Sequence, residues 1–113
     1  LAITTKGTLI ERDLDLLAPM AAKGLLRVGV SVTTLDAGLS RRMEPRAAAP
    51  ARRLEVIRRL SAAGVPVRVM VAPVVPGLTD HEMEPVLAAA AEAAAAMAAA
   101  ATLRAALILF CLL

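Results

Sequence analysis

The sequence has no tryptophan, no tyrosine and a single phenylalanine, Phe110. A surface that stacks successive bases on aromatic rings cannot be assembled from it. It holds one cysteine, Cys111, and one histidine, His81. A lone thiol closes no disulfide within the chain and builds no metal knuckle, so a disulfide scaffold is excluded and a reducing, cytoplasmic compartment is expected. His81 stands beside Asp80 with no second histidine or cysteine near it. It reads as an exposed first-turn residue, neither a metal ligand nor the base of a serine–histidine–acid triad. Glycine-rich phosphate loops are missing. Residue 1 is leucine, and no charged segment leads into an apolar one at the start. The expectation is therefore no signal peptide, and a chain cut from something longer.

What is present is apolar mass. Of 113 residues, 58% are hydrophobic, and mean hydropathy is +0.69. That is one small folded domain, not a disordered chain. Much of the apolar count is alanine, which buries little area, so the core is light for the length. Residues 86–113 are nearly all apolar, but Glu92 and Arg104 interrupt them. The longest run of large apolar residues, "LILFCLL", is strand-sized, and no membrane span is expected. Net charge is +3. Seven of the 13 basic residues (Arg41, Arg42, Arg46, Arg52, Arg53, Arg58 and Arg59) crowd into residues 41–59. The plainer reading is a solvated helix face; a basic nucleic-acid-binding module is the alternative.

Periodicity orders the chain as β-α-β-α-β-α-β. "LAIT" (1–4) is a short strand closed by Gly7. Residues 9–23 carry Ile10, Leu14, Leu17 and Ala21 at helical spacing, with Pro19 implying a kink or an early end and Gly24 a C-terminal stop. "LLRVGVSV" (25–32) alternates bulky Val28, Val30 and Val32 with small Gly29 and Ser31, as where something approaches a sheet closely. "AGLSRRM" after Asp36 is a short helix. Residues 51–63 form a strong one, with Leu54, Ile57 and Leu60 on one face. A third strand in "VPVRVMVAPVVPG" (65–77) ends at Pro73 and Pro76. A helix opens near Asp80, becoming regular near Glu84 because Pro85 suits only a first turn. "LILFCLL" is a candidate fourth strand. Strands joined by helical crossovers make parallel sheets with right-handed connections. The expected fold class is α/β, an arc of a (β/α) barrel that four strands cannot close. Ligand chemistry in such arrangements sits at the C-terminal strand edge. Thr4, Thr5 and Lys6, then Ser31, Thr33 and Thr34, then Ala72, Pro73 and Pro76 all fall there. The abrupt change from buried strand to hydroxyls and charge after residue 30 marks that edge.

The blocks "TTK", "SVTTLD", "MEPR", "RRLEVIRRLSAAG" and "APVVPGLTD" occur in an order and spacing that resembles radical S-adenosylmethionine (SAM) proteins, nearest to the branch related to spore photoproduct lyase. The resemblance spans about residues 2–93. It implies part of a TIM-like (β/α)6 barrel. Members hold a [4Fe–4S] cluster through a CxxxCxxC loop and cleave SAM reductively to methionine and a 5′-deoxyadenosyl radical. A reductant such as flavodoxin or ferredoxin supplies the electron. In the lyase the substrate is a thymine dimer in DNA. This sequence departs by having no CxxxCxxC, and one thiolate does not hold a cubane cluster. Residues 94–113 depart as well, becoming alanine-rich where the family continues through a glycine turn into a further strand. The whole of 1–113 is thus expected to be one partial barrel domain, inactive alone.

By the same resemblance, Lys6 pairs with the SAM carboxylate; a solvated lysine is the plainer reading. Ser31 and Thr33 are candidates to hydrogen-bond SAM, Ser31 at a ribose hydroxyl, against hydroxyls satisfied by backbone. Ala72 and Pro73 would present backbone to the adenine. Glu44 and Arg46, bracketing Pro45, would contact substrate or fix the loop as an ion pair of modest worth. A non-catalytic half-barrel that self-associates through open edges is the runner-up.

Overall fold

The computed structural model describes residues 1–95 and 104–105. Strands β1 (Ala2–Thr5), β2 (Arg27–Ser31), β3 (Val67–Met70) and the two-residue β4 (Arg104–Ala105) form one sheet in the order β1-β2-β3-β4. Every neighbouring pair is parallel. The expected α/β class and parallel arc are what the chain adopts. The candidate strand at 107–113, with Phe110 and Cys111, lies outside the described residues.

Between the strands run α1 (Leu14–Ala22), α2 (Ala37–Met43), α3 (Pro50–Ala62) and α4 (Met83–Ala95). Short 3₁₀ turns at Leu9–Asp13 and Asp80–Glu82 lead into α1 and α4. Asp36 caps α2, its carboxylate accepting from the Leu39 N–H at 2.9 Å, which meets a backbone donor the helix leaves orphaned. Pro50 opens α3 at the position where a missing N–H costs nothing. Gly24 and Gly64 end α1 and α3 at φ +70° and +78°, a left-handed turn that glycine adopts without strain. Pro19 does not end α1, which continues to Ala22. Both Pro19 and Asp15, whose carbonyl loses its helical partner, are exposed, so water can replace the lost bond.

Register explains which face is covered. Val28 pairs with Val67 and Val30 with Val69, so the bulky residues of β2 and β3 share a face. Leu17 of α1, Val56, Ile57 and Leu60 of α3, and Val86 and Ala90 of α4 join them in one buried cluster. The helices therefore cover this single face, as in an arc of a barrel. On the other face Thr4 lies beside Gly29, and Ser31 beside Met70. A Cβ at Gly29 would stand 3.1 Å from Met70 Sδ and 3.4 Å from Thr4 Oγ1. The close approach read from that small residue comes from these two side chains, which lean across β2.

The core depends on α3. Leu60 is fully buried in the cluster, and replacing it by alanine leaves a void that close packing cannot fill. Leu60→Ala should lose about 3 kcal/mol of stability, measured as a lower urea midpoint at unchanged slope.

Candidate functional site at the C-terminal strand edge

Three adjacent parallel strands end at the same edge, and register aligns them. Thr5 faces Val30, and Ser31 faces Met70. The segments just beyond, carrying Lys6, Ser31–Thr34 and Ala72–Pro73, thus come to one lip. Each is fixed locally. Thr5 Oγ1 accepts from the Gly7 N–H at 2.9 Å and shapes the turn after β1. Ser31, buried, donates its hydroxyl to the Ala72 carbonyl at 3.3 Å, tying the end of β2 to the chain after β3. Thr79, also buried, accepts from the Val75 N–H at 2.8 Å and holds the 72–79 loop.

Arg53 organises this edge. Its side chain is 1% exposed. Nε donates to the Ala48 carbonyl at 2.8 Å, one terminal nitrogen to the Ser31 carbonyl at 2.9 Å, and the other to Glu44 Oε2 at 2.6 Å. The planar guanidinium has donors on several sides, so one residue can bind α3, the end of β2 and the loop after α2 together. Glu44 reaches onward: its other oxygen accepts from Lys6 Nζ. The partners of Glu44 are therefore Lys6 and Arg53, not its sequence neighbour Arg46. Lys6, Gly7, Glu44, Pro45, Arg46 and Ala47 line an open depression of about 440 Å³ at this lip. It brings Lys6, Glu44 and Arg46 together, although 38 residues separate Lys6 from Glu44 in sequence. A cavity of about 330 Å³ lies at the opposite end of the strands, against Leu1, Leu25, Pro66 and Arg68. It is remote from the hydroxyls, and the lip is the better candidate on chemistry.

The arginine-rich stretch is not simply a solvated face. Arg52 and Arg59 converge on Glu11 at 2.9 and 3.1 Å, and Arg58 and Arg59 engage Glu55, while Arg53 is interior. Sequence reading missed Arg53, and the signal was there. It sits four residues before Ile57 and seven before Leu60, on the buried stripe of the helix. Glu82 was missed as well. Its carboxylate lies 2.7 and 2.8 Å from the Thr34 hydroxyl and accepts from the Leu35 N–H at 2.9 Å, clasping the loop after β2 to the start of α4. Thr33, next to it, is 2% exposed, and its hydroxyl is the one buried side-chain polar atom without a partner among the described residues. His81 is exposed beside Asp80, 3.8 Å away.

A family model described as the radical SAM superfamily matches residues 1–90. The chain belongs to the radical SAM superfamily. It is similar to uncharacterized proteins of Mycobacterium tuberculosis (strain ATCC 25618 / H37Rv) and Mycobacterium bovis, each 46% identical over 80 residues, which is 71% of this chain and 24% of the relative. An uncharacterized protein of Acidianus two-tailed virus is 40% identical over 74 residues, 66% of this chain and 24% of that protein. The match spans about a quarter of these relatives' length. Intact radical SAM proteins use SAM and a [4Fe–4S] cluster. In this radical SAM chain no three His, Cys, Asp or Glu residues gather to hold a metal ion among the described residues, and the sequence has one cysteine. A cluster held by several cysteines does not fit what the chain supplies. Among the described residues no helix is long and apolar enough to cross a membrane.

Burial alone would push the Glu44 carboxyl up. The hydrogen bonds from Lys6 and Arg53, with their charges, outweigh it and hold the carboxyl below its ordinary value. A carboxyl depressed in the folded state stabilises fully above its unfolded pKa and loses that contribution as pH falls through the folded one. Removing the charged acceptor of Arg53 and Lys6 by Glu44→Gln should cost about 2 kcal/mol at pH 7, and the gap from wild type should shrink as pH falls through the depressed pKa of Glu44, below the ordinary carboxylate range. Urea melts of both proteins from neutral to acid pH check this; a gap independent of pH contradicts the pairing.

Proposed function

We propose that this chain forms part of the SAM-binding rim of a radical SAM enzyme. One observation carries the reading: strand ends bearing a lysine, buried hydroxyls and an acidic–basic depression share one edge of an all-parallel sheet. The residues present suit SAM. The orphaned Thr33 hydroxyl can give and take one hydrogen bond. Ser31 keeps an acceptor lone pair after donating to Ala72. Lys6 retains further N–H donors beyond the one directed at Glu44, and a carboxylate is their natural acceptor. Ala72 and Pro73 offer backbone and small side chains to a flat base. When bound, SAM supplies the alkyl sulfonium whose reductive cleavage defines the family.

On this reading Lys6 orients the amino-acid end of SAM, while Ser31 and Thr33 orient the nucleoside. Holding both ends fixes the sulfonium between them, and such positioning can lower a reaction barrier by several kcal/mol. Cluster ligands would come from outside these residues, as would the contact with a flavodoxin- or ferredoxin-type reductant. The blocks resembling spore photoproduct lyase support a lyase-like branch and a DNA substrate in a cytoplasmic setting. Fold likeness does not set the substrate, so the DNA assignment rests on those blocks alone.

Adding SAM to the isotope-labelled chain should shift amide resonances of residues 5–7, 31–34, 44–47 and 72–76 and leave those at the opposite strand ends unmoved. Thr33→Val keeps the shape and removes the hydroxyl; it should weaken binding about fivefold, the loss of one hydrogen bond. Shifts confined to residues 24–27 and 66–68 would refute the assignment of the rim.

A further inference from the structure

We propose that Glu44 is a positioning residue: it holds the Lys6 ammonium in place to receive the carboxylate of SAM. The inference rests on the SAM-rim reading of Lys6 and adds a residue to it. Lys6 follows a short edge strand, and its side chain is 47% exposed. A free lysine there would sample many rotamers and lose that freedom on binding. Here the ammonium is not free, because it donates to Glu44 Oε1. Glu44 is itself held through Oε2 by a guanidinium that is almost wholly buried. That guanidinium is fixed by the Ser31 and Ala48 carbonyls, and Ser31 is tied to Ala72. The order of β2 and β3 thus reaches Lys6 through Arg53 and Glu44, setting the ammonium relative to the hydroxyls of the adjacent strand.

Charge alone predicts the opposite of what positioning predicts. Glu44 is an anion lining the depression that would receive a carboxylate, so by Coulomb's law its removal should strengthen binding. Positioning requires that removal to weaken binding, and only for ligands that carry the carboxylate. The two roles therefore differ in sign.

The test compares SAM with 5′-methylthioadenosine, which keeps the nucleoside and thioether but lacks the amino-acid end. Both are titrated into the wild-type chain, Lys6→Met, Glu44→Gln and the double variant, with amide spectra confirming that each stays folded. Lys6→Met should weaken SAM about tenfold, one charge-assisted hydrogen bond, and Glu44→Gln about fivefold. The double variant should match Lys6→Met alone, because residues acting through one another are not additive. Binding of 5′-methylthioadenosine should be unchanged throughout. Equal weakening of both ligands by Glu44→Gln makes Glu44 merely structural and overturns the inference. Tighter or unaltered SAM binding in Glu44→Gln, with Lys6→Met still weakened, overturns it while leaving the rim reading intact. If Lys6→Met has no effect on SAM, the role of Lys6 fails and the inference with it.

Discussion

A buried arginine with three acceptors holds the C-terminal strand edge of this molecule together. Arg53 binds the carbonyls of Ser31 and Ala48 and the Glu44 carboxylate. Taking a guanidinium out of water is expensive unless its donors are met, and here its three distinct donor nitrogens are engaged. The arrangement joins a helix, a strand end and a loop by directional bonds that hydrophobic contact cannot provide. Beyond that hub the α2–α3 loop is fixed, Glu44 is aimed, and Lys6 is drawn across from the neighbouring strand end.

The rest of the fold carries the edge without specifying its chemistry. Valines of β2 and β3 pack under α1, α3 and α4 in one cluster, and the parallel register puts every strand end on the same side. Alanine supplies much of the surface of α4, so its contribution per residue is small. Fully buried valines, isoleucine and leucine in β2, α3 and β3 carry the density. The second clasp, Glu82 on Thr34 and Leu35, joins the loop after β2 to the start of α4. The lip is thus braced at Ser31 by Arg53 of α3 and at Thr34 and Leu35 by Glu82, just before α4.

The element order, the parallel topology and the edge carrying the hydroxyls were legible because each follows from short-range pattern. Alternation in "VGVSV" marks a strand, Asp36 before "AGLSRRM" marks a helix start, and crossover helices between strands force parallel pairing. Pro19 does not end its helix early, since the helix runs through it to Ala22, and Asp15, whose carbonyl loses its helical partner, is an exposed residue. The Glu44–Arg46 ion pair misled because nearness along the chain is a poor guide to ion pairing where a turn intervenes, and the true partners lie 38 residues before and 9 after. Arg53 was hidden in α3 among Arg52, Arg58 and Arg59, which pair at the surface.

The sequence by itself determined the first three strands and the helices between and after them, that the sheet is parallel, and at which edge polar residues accumulate. These depend on local periodicity and on the chirality of L-residues, which act over a few positions. Only the tertiary structure decided which charge meets which: Arg53 inward to Ser31 and Glu44, Glu44 onward to Lys6, and Thr33 without a partner among the described residues. Those outcomes depend on distances between segments far apart in the chain, and ion pairs and hydrogen bonds are decided by ångströms, not by spacing along the sequence.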